Sequence, residues 1–285
     1  MLGVVIVTDS TADLPRGLAD ELKIAVVPLK VHFGEEEYLD WIDLDSDSFF
    51  QKLQTSKVMP RTSQPAPADF EALYKRVATA GDSIISLHLS SHLSGTYQSA
   101  VIAKAALEQY EIEVIDSKTA SMGLGVVVIE AARAAAAGCG KTEIINMIHK
   151  LLKQVKLFFA VDTLEYLQRN GRIGKAAAMV GGLLNVKPIL TLEDGIVVPK
   201  GKVRGKAKAK EYLLDLIAEE FGDNVDGKIM ILHGNEPESA LELKEKIEKR
   251  YYNSEIILST IGAVIGTHTG PGVLGVGILP KESLK

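Results

Sequence analysis

Three short polar segments interrupt otherwise apolar stretches of this 285-residue chain: Arg61-Thr62-Ser63-Gln64-Pro65, Ser90-Ser91-His92-Leu93-Ser94-Gly95-Thr96 and Gly266-Thr267-His268-Thr269-Gly270-Pro271-Gly272. Hydroxyls and an imidazole in such settings suit either a nucleophile with its base or the hydrogen bonding of an anion. The middle segment follows an apolar run, Ile84 to Leu89, and precedes a helical stretch. It therefore reads as a strand-to-helix turn with free backbone N–H groups at a helix N-terminus, a natural anion site. In open α/β sheets such turns lie in the ligand crevice at the carboxyl ends of the strands. Ser94 and Thr96 have a plainer use as helix caps, and spacing alone leaves both readings open. His268, taken alone, reads equally well as a hydrogen-bonded structural histidine.

Other patterns carry less. Gly270-Pro271-Gly272-Val273-Leu274-Gly275 has the spacing of a dinucleotide fingerprint, but Val276-Gly277-Ile278-Leu279-Pro280 cannot form the helix that must follow it. Gly140-Lys141-Thr142 resembles the end of a phosphate-binding loop, yet Ala135 stands where its first glycine belongs. No H-E-x-x-H pair or G-x-S-x-G elbow occurs, and His149 falls on the polar side of its helix. A single cysteine, Cys139, excludes an internal disulfide and a cysteine-based zinc site, and is expected as a small buried residue. Neither a metal nor a redox cofactor is expected. The basic run from Lys200 to Lys210 is expected to be a solvated face, with docking of an acidic partner as the alternative.

The 32 Lys+Arg and 37 Asp+Glu leave a net charge of −5, and 46% of residues are hydrophobic. That composition excludes a disordered chain and speaks against general nucleic-acid binding, which needs a basic surplus. The opening Met1 to Val7 has no basic n-region, and its apolar run stops at Thr8-Asp9. The charge-free stretch from Ile256 to Pro280 contains repeated glycines, two prolines and His268, unsuited to a lipid-facing helix. It is expected to form buried strands and turns. A cytoplasmic protein without membrane insertion is the expectation.

The elements that must position these residues follow from periodicity. Val4 to Thr8 reads as a strand, with capping residues and Pro15 announcing a helix. Pro67 opens a helix in which Phe70, Leu73, Tyr74 and Val77 share a face. Further strands at 84–89 and 112–115 flank a helix from about Thr96 to Tyr110, and Thr142 is expected to cap a helix reaching Val155. This alternation predicts a parallel sheet covered on both faces. Beyond it, Lys187 to Leu192, Asp194-Gly195 and Ile196 to Val198 predict a hairpin. Helices over 207–221 and 237–251, and strands at 228–233 and after Ser254, complete a second unit. The expected division is 1–157 and 158–285, with a cleft between.

On these residues a resemblance emerges that covers nearly the whole chain. Val7-Thr8-Asp9-Ser10-Thr11-Ala12-Asp13-Leu14-Pro15 resembles the opening signature of the DegV family. Thr62-Ser63-Gln64-Pro65, Leu93 to Ala100, Asp116-Ser117 with Ser121-Met122-Gly123, Asp162 to Leu167, Leu184 to Ile189 and the His268 loop resemble its later blocks, in order. The resemblance implies a Rossmann-like parallel-sheet domain and a C-terminal α/β domain with a largely antiparallel sheet, with a ligand between them. It implies a long-chain fatty acid such as palmitate as that ligand and, where a cognate fatty acid kinase exists, presentation of the carboxylate for acyl phosphate formation. Thr62, Ser94 and His268 match the positions that hold the carboxylate; Gly95 and Thr267 would be secondary contacts. Arg169 and Arg172 are expected to face solvent and dock the partner. Two positions depart from the family pattern. His92 stands where glycine is frequent, and Asn170 interrupts Arg-Gly-Gly-Arg, giving Arg169-Asn170-Gly171-Arg172.

The competing class is an enzyme, a serine esterase or acyltransferase with Ser94 as nucleophile and His268 as base. A third class is a regulatory module that engages a macromolecule through Lys200–Lys210.

Overall fold

The computed structural model describes residues 3–15, 17–79, 81–181, 185–222 and 226–281. The chain opens on β1 (Val4–Asp9), which ends where the Asp9 carboxylate accepts from the Thr11 N–H and hydroxyl and a 3-10 turn, Ser10–Ala12, begins. Next come α1 (Leu18–Glu21), β2 (Ala25–Val27), β3 (Lys30–Phe33), β4 (Glu36–Leu39), α2 (Ser46–Thr55), β5 (Arg61–Ser63) and α3 (Pro67–Val77). The alternation continues through β6 (Ser83–His88), α4 (Thr96–Ala105), β7 (Glu111–Asp116), α5 (Met122–Ala136) and α6 (Lys141–Gln154). After β8 (Lys156–Ala160) and α7 (Glu165–Arg169) follow β9 (Val186–Glu193), β10 (Ile196–Arg204), α8 (Lys206–Phe221) and β11 (Gly227–His233). The last elements are α9 (Pro237–Arg250), β12 (Glu255–Thr260), α10 (Ala263–Thr269) and β13 (Leu274–Pro280).

The first sheet is four-stranded and parallel in the order β2-β1-β6-β7, as the β/α alternation requires. The second has six strands ordered β10-β9-β8-β13-β11-β12, antiparallel except for the β11–β12 pair. Its β9–β10 hairpin turns on Asp194 (φ 49°) and Gly195 (φ 81°), the conformation that the Asp-Gly pair predicts. Helix α5 lies between the two sheets, packing on β1 and β6 from one side and on β8, β11 and β13 from the other. Every residue from Met122 to Ile129 is buried, which fits a helix that is apolar all round. At its edge, Glu130 reaches Lys228 at 3.1 Å and Arg133 reaches Glu255 at 3.3 Å, so paired charges tie α5 to the second sheet.

Several elements differ from the sequence reading. Residues 25–63 add a small antiparallel sheet, β4-β3-β5, and the amphipathic α2; their strands are too short for a periodic signal. The helix announced by Pro15 begins only at Leu18, and the one expected to reach Tyr110 ends at Ala105. Gly140, not Thr142, precedes α6. Cys139 is half-buried rather than buried. The largest correction is α10, a helix within the tail read as strands and turns.

That helix depends on distant residues. The Gly262 N–H donates to Asp13 Oδ1 at 2.8 Å and the Ala263 N–H to Asp40 Oδ1 at 2.9 Å. Two carboxyls thus take the place of a local cap. Ser121 donates to the other Asp13 oxygen at 2.5 Å, and Ser259 to the Asp13 carbonyl at 2.6 Å. Burial holds the Asp13 carboxyl well above the usual carboxylate range, and pushes Asp40 up from 3.8 to about 7. Elsewhere, Ser86, His88 and Asp9 line up in a serine–histidine–aspartate chain (Oγ to Nε2 2.6 Å, Nδ1 to Oδ2 2.9 Å), but all three are fully buried and Phe70 packs on the imidazole. This chain braces β1 against β6.

A pH dependence follows. A carboxyl raised in the fold favours its protonated form, so its contribution to stability is complete below about pH 3.8 and is lost as pH rises through about 7. Asp40→Asn keeps an acceptor for the Ala263 N–H without the titration. The difference in unfolding free energy between variant and wild type should therefore move in the variant's favour, by a few kcal/mol, from about pH 4 to 7.5. A difference that stays constant over that range in denaturant titrations would show that Asp40 does not titrate there.

Candidate functional site

Between the two sheets lies a cavity with about 900 Å³ of space free of protein atoms, part of it open to solvent. Its apolar wall comes from strands of the second sheet, such as Leu157, Phe159 and Leu232, and from loops such as those at Leu89, beyond the first sheet, and Val273. Helix α10 and the residues before it run along this wall. Ile261, Val264, Ile265 and His268 all line it, the i, i+3, i+4, i+7 face of one helix. The wall changes from aliphatic Ile261 to polar His268 along this face.

The polar end gathers residues from four segments, around Thr62, Ser94, Arg172 and His268. Thr62 sits on β5, paired opposite Val31 of β3, and its Oγ1 lies 2.9 Å from His268 Nε2. Gln64 lines the cavity two residues on, as the two-residue repeat of an extended chain dictates. Its amide lies against Gly95, where an added Cβ would make this exposed side chain shift. Ser94, in that turn, pairs with Thr96 Oγ1 at 2.9 Å and accepts from the Thr96 N–H at 3.3 Å. Ser94 therefore makes the capping contact and lines the cavity as well. The turn is itself held from behind: Ser90 Oγ donates to the Gly195 carbonyl of the β9–β10 hairpin at 2.9 Å. His92, the departure from the family pattern, is exposed beside that hairpin and leaves Ser94 in place.

Burial, with the nearby Arg172 charge second, pushes the His268 imidazole down from 6.5 to about 3, so the ring is neutral at physiological pH. Part of the ring's carbon surface faces the cavity, but Nδ1 is shut off from water without a hydrogen-bond partner.

Arg172 corrects the sequence reading. Its guanidinium was expected to face solvent, but it is half-buried and lines the cavity, with Nε donating to the Leu93 carbonyl at 3.0 Å and Nη1 to the Asn170 carbonyl at 2.7 Å. Arg169 is the solvent-facing one, paired with Glu165 at 2.7 Å across one helical turn. Thr62, Ser94 and His268 all line one cavity, whereas Gly95 and Thr267 stand behind its wall. The Thr267 hydroxyl donates to the Ala263 carbonyl at 2.8 Å, and Thr269 lines the cavity in its place. Gln64 and Thr269 were not singled out from the sequence, and Arg172 was singled out there only for docking. The Thr62–Gln64 spacing and the Ile261–His268 stripe were the available signals. Lys200, Lys206 and Lys210 of the basic run meet Glu220, Glu236 and Glu242, so carboxylates of the chain itself offset this face.

Comparison with known proteins places this geometry. A family model described as an uncharacterised protein of the DegV family matches residues 3–281. Protein DegV of Bacillus subtilis is 36% identical over 276 residues, covering 96% of this chain and 98% of that one. A DegV family protein from Thermus thermophilus, described for its fatty acid binding, superposes with a TM-score of 0.92 at 34% identity, covering 98% of this chain and 100% of that one. A stearic acid-binding protein from Eubacterium ventriosum gives a TM-score of 0.90 at 28% identity, with 100% of each chain covered.

The histidine offers a direct check. An imidazole lowered in the fold favours its neutral form, so its contribution to stability is present above about pH 6.5 and is lost as pH falls toward about 3. In lipid-stripped protein labelled with ¹⁵N-histidine, the His268 ring should stay neutral down to about pH 5. A titration midpoint near the ordinary value would contradict the desolvated ring described above.

Proposed function

The chain belongs to the DegV family, and from that membership we propose that it binds a long-chain fatty acid in this cavity, with the carboxylate at Thr62, Ser94 and His268. The observation that carries the reading is the asymmetry of one cavity: aliphatic along α10 and the second sheet, and hydroxyl, amide and imidazole at its end. Relatives described as fatty acid-binding share the fold over its whole length. Each buried CH₂ contributes about 0.8 kcal/mol, so ~15 carbons gain on the order of 12 kcal/mol before ordering costs. The head group is the expensive part, because a buried carboxylate must be hydrogen-bonded. Two hydroxyls and a neutral imidazole supply those bonds, and Arg172 adds a positive field without leaving its own carbonyl partners.

This reading is of a binding protein that presents its ligand to a fatty acid kinase. The exposed Arg169 next to the polar end is then a docking residue, while Arg172 belongs to the ligand site. The esterase alternative fares worse on geometry. His268 Nε2 faces Thr62, Ser94 faces Thr96, and the buried Nδ1 has no carboxylate to orient it as a catalytic base requires.

Mass spectrometry of an organic extract of the purified protein should return a stoichiometric C14–C18 acid. Repeated lipid-free preparations that also refuse added acid would overturn the reading. Ser94→Ala should weaken binding about 10- to 150-fold, the loss of one charge-assisted hydrogen bond at ~1.5–3 kcal/mol. It should also blunt the preference for the acid over its methyl ester; an unchanged preference would leave Ser94 as a cap alone. Arg169→Glu should leave fatty-acid affinity intact and slow acyl phosphate formation by a cognate kinase. Unaltered phosphorylation kinetics would end the docking assignment.

A further inference from the structure

The turn from Gln168 to Arg172 spans the polar end of the cavity, where Gln64 is exposed and Leu93, Ser94 and Arg172 are half-buried while the aliphatic wall is buried. It is fastened on two sides. On one, Arg172 donates to the Leu93 carbonyl in the β6–α4 turn. On the other, the Asn170 side-chain amide donates to the Thr267 carbonyl of α10 at 3.1 Å and to the Tyr166 carbonyl at 3.3 Å. The second of these is an ordinary helix-end contact, since the Asn170 N–H already bonds Tyr166. The first is not. It bridges 97 positions in sequence and satisfies a carbonyl in the last turn of α10, which the helix itself leaves without a partner. Thr267 is buried, so water cannot easily replace that donor.

We propose that Asn170 is a latch that governs how fast an acyl head group enters and leaves this mouth, an inference that rests on the fatty-acid reading above. The two fastenings differ in strength. The Arg172 side is charge-assisted and the Asn170 side is neutral, so the turn parts from α10 before it parts from Leu93. Opening there uncovers Leu167 and Arg172, which both line the cavity, without disturbing Thr62 or Ser94. Asn170 is also where this chain departs from the Arg-Gly-Gly-Arg pattern, and a glycine could make neither amide bond.

The test measures exchange rates and equilibrium affinity separately, using a fluorescent long-chain fatty acid. Asn170→Ala should speed both uptake and release roughly three- to tenfold, the weight of one neutral hydrogen bond, while affinity moves little. Asn170→Asp should speed them further, because its carboxylate would face two carbonyl oxygens. Rates equal to wild type in both variants, or a change in affinity alone, would overturn the latch. A second arm needs no ligand. In lipid-stripped protein, hydrogen exchange at the Gly171 and Gly270 amides, bonded to the Gln168 and Gly266 carbonyls, should quicken in Asn170→Ala while the α5 amides stay protected. Unchanged protection refutes the latch whatever the protein binds. Failure of wild type to take up any fatty acid, with the exchange effect present, would instead count against the functional reading alone.

Discussion

Two carboxyls buried at the N-terminus of α10 hold the site together. A seven-residue helix has no stability of its own in water, since nucleation costs more than so few hydrogen bonds return. Here Asp13 and Asp40 accept its leading N–H groups, and Asp13 is gripped in turn by Ser121 at the start of α5 and Ser259 at the end of β12. The opening loop, the inter-sheet helix, the three-stranded sheet's exit and the second sheet therefore meet at one point. His268 lies less than two turns farther along, so its place opposite Thr62 is inherited from that junction. The buried position of these carboxyls has a cost, visible in their raised proton affinity. It is offset by the helix end they cap, where negative charge or an acceptor is favoured.

The polar end combines moderate donors instead of one strong cation. A lysine in contact with a carboxylate would hold it firmly, but would be left buried and unpaired whenever the head group departed. Neutral His268 and two hydroxyls avoid that penalty, because each can exchange partners: Thr62 with His268, Ser94 with Thr96. Arg172 keeps its hydrogen bonds to two carbonyls and contributes only its field. The arrangement suits a ligand that comes and goes. Strong ion pairs are placed at the opposite concern, the seam between α5 and the second sheet, where Glu130, Lys228, Glu255 and Arg133 form a chain.

Most of the frame was legible because its signals are local. The Phe70–Leu73–Tyr74–Val77 stripe, the Asp194-Gly195 turn and the strand-to-helix step at Ser94 each carry their conformation in neighbouring residues. What escaped depends on partners far away. Nothing near Gly262 shows that Asp13 and Asp40 will cap it, so β-branched Val264, Ile265 and Thr267 between glycines looked extended. Arg172 looked solvent-bound for the same reason: its acceptor, the Leu93 carbonyl, is 79 positions away. The family resemblance supplied Thr62, Ser94 and His268 as a set. Spacing alone could not have joined them, since 206 positions separate Thr62 from the histidine it contacts.

Three residues with strained backbone gather at the start of α10. Asp13 (φ 47°), Trp41 (φ 65°) and Ser121 (φ 52°) are non-glycine residues in the left-handed region, and all three surround the start of α10. Asp13 caps the helix and Ser121 holds Asp13, and the Trp41 ring lies so close to Gly262 that a Cβ there would meet it at about 2.5 Å. Each such conformation costs of order 1–3 kcal/mol and survives only where its surroundings over-determine it. Ser94, Thr62 and His268 carry no such strain. A nucleophile elbow concentrates strain on the reacting residue, whereas here the strained residues support the start of the helix. The scaffold is thus anchored through buried hydrogen bonds where α10 begins, while hydroxyls and an imidazole meet the cavity farther along it.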